Sequence, residues 1–281
     1  MRKKKVILSR KGFDSSAGGK ASPILNNKFI SLPIPRSSSD IFYKNLYLDS
    51  KTTYLNIMQD LNIHYFSEAH LDPDLRHSTL SSRSKDWRGL FGQSHTAQAS
   101  LLNEGITKGD IFLFFGWFRE VEKRNNKFHY KKGSPNIHSI FGYLEVDTMI
   151  DLHSKTTIPN WALYHPHVQE KQRYTRQKNG LYIATKHATF APDKTGWGCF
   201  KFDEKLILTK PNQEKRSIWK LPPEFIGEES KFKAKVNFTL LQNKHIQVEF
   251  SGRNNQEIYI SDNEEIVQWA EKLIKTCKTY D

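Results

Sequence analysis

Cysteine is nearly absent from this chain: Cys199 and Cys277 are the two in 281 residues, far apart and in unlike surroundings. Two such thiols build neither a disulfide framework nor a cysteine-based zinc site, and they fit a reducing, cytoplasmic setting. Long apolar runs are absent too. Ile111–Phe115 is closed by Gly116 and Arg119, well short of the roughly 18 apolar residues a bilayer span needs, so no membrane is expected among the partners. The basic opening Met1–Lys5 is followed by only Val6–Leu8 before Ser9, Arg10 and Lys11, which is too short for a secretory core. Neither the Walker spacing nor the dinucleotide glycine fingerprint occurs, and no repeat, heptad array or low-complexity tract is found. Acid is in deficit: 30 Asp and Glu stand against 43 Lys and Arg, a net +13 with a pI near 9.5. Such a balance attracts phosphate-rich partners, nucleic acid foremost.

What is abundant is aromatic. Six Trp, 11 Tyr and 18 Phe within 37% hydrophobic residues support a packed core rather than long disorder. The pattern predicts one composite α+β unit over 1–281, a mixed, mostly antiparallel sheet or barrel with packed helices. Val6–Leu8 reads as a short buried strand and Gly12–Gly19 as a turn-rich loop. A helix is expected from about Asp49 to Ile63, with Tyr54, Ile57, Met58 and Leu61 at helical spacing, and another over Ala97–Leu102. Ile111–Phe115 and Ser139–Val146 read as paired strands, joined by a hairpin arm. Leu181–Ala184 is a strand after an Asn179–Gly180 turn, and Phe238–Leu241 with His245–Ser251 forms a hairpin. A closing helix is expected with Asp262 as its cap and Ile266, Trp269, Ala270, Leu273, Ile274 and Cys277 as its apolar stripe.

Residues 1 to 36 hold nine Lys or Arg against the single acid Asp14. Within them Ser9–Gly19 puts cations, hydroxyls and flexible backbone at a strand end. Arg10 and Lys11 are candidates for a phosphate, Ser15, Ser16, Gly18 and Gly19 for a phosphate or ribose, and Asp14 for a ribose hydroxyl or a base. In His70–Asp74 an extended backbone would put His70, Asp72 and Asp74 on one side, where a carboxylate could act catalytically or a Mg2+ could bridge diphosphate oxygens; a proline turn with a capping aspartate is the other reading. His165 and His167 pair in an extended stretch, but no third ligand can be named, so no metal site is assigned. Two basic tracts complete the inventory. One is the arm carrying Arg119, Lys123, Arg124, Lys131 and Lys132 among Trp117, Phe118, Phe128 and Tyr130, and the other carries Lys171, Arg173, Arg176 and Lys178. Basic residues interleaved with aromatics suit a nucleic-acid strand.

Arg10–Gly19, Ser22–Ile24 and Ser31–Pro35, and downstream His70–Asp74, Gly109–Arg119, Ile140–Leu144 and Trp219–Pro222, resemble the third nucleotide-modification-associated domain family over most of the chain. That resemblance implies a role in bacterial or phage systems that modify nucleotides or contest nucleic acid; a toxin-like component restrained by an antitoxin-like partner is a separate reading. Asp86–Gln93, the helix after it, Lys108–Asp110 and the following strands are similar to the PUA-like barrels of the EVE and YTH families. This implies a PUA-like subregion over 86–187 in which Trp87, Gln93, Trp117 and Phe118 would hold a base outside its helix. Arg10 at a strand end before hydroxyl residues also resembles the dinucleotide grip of ADP-ribosyltransferases, which implies NAD as a cofactor and Arg10, Asp14, Asp72 and Asp74 as candidate catalytic residues. Two expectations follow. One is an enzyme that transfers a group, ADP-ribose in its concrete form, to a base or nucleotide; the other is a non-catalytic reader of modified bases.

Overall fold

In the computed structural model the described residues are all but 1, 38, 64–65 and 252–256, with the side chains of Lys171 and Glu257 also left aside. The architecture is α+β. A mixed, mostly antiparallel sheet of eleven strands among the described residues dominates, and it does not close into a barrel. The barrel alternative is therefore corrected. Segment 86–187 supplies strands Leu90–Ser94, Ile111–Arg124, Ile137–Asp151 and Asn179–Ala184, but Ile111–Arg124 also pairs with Val6–Arg10, which extends the sheet outward to Glu257–Ser261. The pairing with Val6–Arg10 is parallel, and Ile111–Phe115 is buried throughout. A strand covered on both faces needs such an uninterrupted apolar run.

Beyond Gly116 the same strand leaves the core: Phe118 and Val121 are buried, the residues around them half-buried, and Lys123 and Arg124 exposed. It then turns back through Asn125 and Asn126, both at positive φ, into Lys127–Tyr130. Asparagine tolerates the left-handed region that a two-residue hairpin turn demands. The expected hairpin arm is thus present. The expected long helix is shorter: Thr53 caps Tyr54–Asp60 through a reciprocal bond with Asn56, and residues 47–53 form a small hairpin before it. The capping box fixes where that helix starts, which apolar spacing alone cannot. At the other end Asn263, and not Asp262, accepts from the Glu265 amide and caps the helix Glu264–Thr276. Its predicted apolar stripe is buried. Val236–Leu240 and Ile246–Phe250 pair as the predicted hairpin and join Ile218–Leu221 in a separate three-stranded sheet.

One feature of the sheet positions the site. Val6–Arg10 and Ser22–Leu25 lie end to end along the same edge of the strand Ile111–Arg124, opposite residues 111–115 and 118–120. Residues 11–21 leave the sheet between them and return. Gly116 stands at the break, where a Cβ would lie 2.8 Å from the Lys11 carbonyl oxygen. No helix among the described residues is long and apolar enough to cross a membrane, and both cysteines are free thiols.

Candidate functional site

The excursion 11–21 forms one wall of a cavity of about 370 Å3. Arg10, Lys11, Asp14 and Ser16 line it from this wall, while His70, Asp72, Gln93, His167 and Arg173 line it from elements 60 to 160 residues away in sequence. Arg10 Nε lies 3.9 Å from Asp14 Oδ2. The other Asp14 oxygen is committed to the loop: Oδ1 accepts from the Ser16 amide at 2.7 Å, the Ser16 hydroxyl at 2.7 Å and the Ala17 amide at 2.8 Å. This is an aspartate turn holding the loop closed, an occupation that competes with the expected role as a base. Lys11 is nearly buried, its Nζ 4.4 Å from the centre of the Phe91 ring.

Asp72 is the hub of the opposite wall. It is buried, accepts from the Gly92 amide at 2.6 Å, and has His165 Nε2 at 3.5 Å and His167 Nε2 at 3.9 Å. Burial opposes its charge, yet the His165 ring, Lys11 and the second imidazole outweigh that and hold the carboxyl well below its ordinary range. Asp72 is therefore an anion at neutral pH. His167 is oriented from behind: Asn179 Nδ2 donates to the His167 carbonyl at 3.0 Å, which turns Asn179 Oδ1 toward His167 Nδ1 at 2.7 Å. Nδ1 accordingly carries the proton, and Nε2 presents a lone pair toward Asp72. Tyr174 stacks on the same ring, 5.3 Å between centroids and nearly parallel. Burial pulls His167 down to about 4 and His70 well below the ordinary histidine value, so both imidazoles are neutral. His70 Nδ1 and Glu170 Oε1 face each other across 4.0 Å, both buried and neither with a hydrogen-bond partner. Each such group costs about 1–3 kcal/mol unless something satisfies it.

Not every candidate reaches the cavity. Asp74 does not share a side with His70 and Asp72: its carboxylate accepts from Arg83 Nη2 at 2.6 and 2.7 Å and from the Tyr164 hydroxyl at 2.5 Å, and it is fully buried. Its backbone bonds to Leu90, so the segment turns along that strand and directs the side chain elsewhere. Ser15 accepts from Arg216, outside the cavity lining. Gly18 and Gly19 shape the loop at positive φ rather than lining the cavity; a Cβ on Gly18 would strike the Phe13 ring at 2.2 Å. Trp87 is 3% exposed, its Nε1 donating to Tyr164 and its ring covered by Arg83, so it has no face for a base. Phe118 is wholly buried. Trp117 is half-buried with Arg216 4.0 Å from its ring centre.

On the arm, Lys131 pairs with Glu120 at 2.8 Å and Arg124 with Glu122 at 3.2 Å, while Arg119 and Lys123 lie over Tyr130 and Phe128. Two of the arm's six cations are thus paired with acids on the arm itself. Lys132 is exposed beside them, as is Arg176 in the second tract. Arg173 reaches the cavity rim.

Sequence reasoning missed Gly92, Arg36, Glu170, Tyr174 and the orienting role of Asn179. Arg36 donates to Glu170 at 2.9 and 3.0 Å and to Tyr174 at 2.8 Å. Gly92 had a legible signal, a glycine inside a strand, which marks a close approach. There a Cβ would lie 2.3 Å from the His167 ring. The others gave none, because their partners lie more than a hundred residues away or on short irregular segments.

No curated protein and no solved structure gives a significant match to this chain. Its motifs and nearly its whole length nonetheless agree with one family: the chain belongs to the nucleotide modification associated domain 3 family, matched over residues 5–260.

Proposed function

We propose that the chain is an enzyme that modifies a nucleotide or one nucleotide unit of a nucleic acid, bound in the cavity between the loop 11–21 and the Asp72 wall. One observation carries the reading: a single polar cavity brings together the cations Arg10, Lys11 and Arg173 and an anionic Asp72 flanked by two neutral imidazoles. Cations suit a phosphate, and the carboxylate and imidazoles suit proton transfer or cation binding. Family membership supports the same direction. At about 370 Å3 the cavity sits at the lower end of the roughly 300–1,000 Å3 range of ligand pockets, the size of a single nucleotide unit. Its open mouth leaves the rest of a strand, or of a donor, outside.

Group transfer is the reaction class, and ADP-ribose from NAD is the donor to test first. In that version the bond from C1′ to nicotinamide breaks, a bond from C1′ to a base atom forms, nicotinamide leaves, and the proton of the acceptor passes to the Asp72 side of the cavity. The geometry gives less support to a reader of modified bases, since Trp87 is buried and Arg216 covers one face of Trp117.

The test is incubation of the full chain with mixed DNA and RNA oligonucleotides, nucleotides and NAD, followed by mass spectrometry of the nucleosides. A gain in mass that disappears in Asp72→Asn supports the reading, and a gain other than ADP-ribose keeps the enzyme and discards NAD. A failure to bind or alter any nucleotide overturns it.

A further inference from the structure

We infer that His70, Asp72 and His167 form a binding site for one divalent transition-metal ion. The inference deepens the reading of this cavity as the functional site, but it does not depend on which nucleotide or donor is used. Donor atoms of the three side chains lie within 4.8 Å of one another, and all three residues are buried. Bonds of about 2.0–2.2 Å place the donors of a bound ion roughly 3–3.5 Å apart, so the walls close by about an ångström on binding.

Two further observations point to a cation. His167 Nε2, a lone pair once Nδ1–H is held by Asn179, faces Asp72 Oδ2 at 3.9 Å. Two acceptors aimed at each other repel unless a positive centre lies between them. Close by, His70 Nδ1 and Glu170 Oε1 are buried without hydrogen-bond partners, and lone pairs so placed are ones that a bound cation can satisfy. The surroundings have the outer shell such sites use: the Asn179 carbonyl fixes the tautomer and ring orientation of His167, and the Gly92 amide bonds the ligating carboxylate at 2.6 Å.

Two imidazoles and one carboxylate suit zinc or iron(II) better than manganese or magnesium, which prefer oxygen ligands. Three protein ligands leave coordination positions open toward the cavity, where Arg10 and Arg173 also face. A phosphate or base oxygen, or a water, would fill them.

The test is metal analysis of the full chain stripped with a chelator and then titrated separately with Zn2+, Mn2+ and Fe2+ under anaerobic conditions. One equivalent should bind, with affinity falling at least tenfold in His70→Ala and in His167→Gln, and unchanged in the exposed control His187→Ala. Circular dichroism verifies that each variant is folded, and if His167→Gln does not fold, His70→Ala alone decides. Absence of stoichiometric binding by the folded wild-type chain, or binding that survives both substitutions, overturns the site. Metal content is read without substrate, so a positive metal result beside a negative product assay would overturn the proposed reaction and leave the metal site standing.

Discussion

The Gly92 amide donates to Asp72 Oδ1 at 2.6 Å, and the space a side chain on Gly92 would need is taken by the His167 ring. One residue without a side chain thereby lets the strand backbone hold the carboxylate while an imidazole packs directly against it. Gly92→Ala should displace His167 and cost about 1–3 kcal/mol of stability, the usual cost of overpacking. Chemical denaturation checks this. A wild-type midpoint in the alanine variant would show that the ring has room to move.

Asp14 separates a loop brace from a base. Its Oδ1 accepts three bonds within the loop, and asparagine retains an acceptor oxygen there. Asp14→Asn should keep most nucleotide binding and turnover, whereas Asp14→Ala should loosen the loop, cost about 1–2 kcal/mol and weaken binding. Loss of turnover in the asparagine variant with binding intact would restore Asp14 to a catalytic role.

Asp74 is predicted to matter for stability rather than chemistry. Removing it leaves Arg83, whose side chain is 2% exposed, as an uncompensated buried cation. Asp74→Ala should lose about 3–5 kcal/mol, read by urea denaturation. A variant with unchanged stability but abolished turnover would refute the structural assignment.

His138 makes stability sensitive to acid. Burial, with Arg216 and Arg10 adding to it, pulls this imidazole down to about 3, and its Nδ1 accepts from Trp219 Nε1 at 3.1 Å. The unfolded chain takes up the proton near the ordinary value of about 6.5, so it binds more protons than the folded chain between those limits. Stability contributed by the neutral ring is therefore complete above about pH 6.5 and falls as pH drops toward 3, by up to about 1.4 kcal/mol per pH unit. His138→Gln keeps an acceptor and removes the titration, so denaturation from pH 7 to 4.5 should show a shallower acid limb than wild type. Equal slopes would mean that His138 contributes nothing to it.

Much of the architecture was legible from local pattern. The run Ile111–Phe115 and the stripe of the closing helix each encode their element through neighbours within a few residues. Element ends were less legible, because capping by Thr53 and Asn263 depends on particular side-chain bonds and not on periodicity. Three site segments, Arg10–Gly19, His70–Asp74 and His165–His167, were visible for their chemistry, since charges and imidazoles stand out wherever they lie. Their meeting was decided by tertiary structure alone. Only the pairing of Val6–Arg10 with Ile111–Phe115, and the passage of Asp72 beside Gly92, bring segments separated by scores of residues to one cavity. The same folding turned Asp74 toward Arg83 and buried Trp87 under it. Residue type determines what a side chain can do, and the packing of distant backbone determines which partners it does it with.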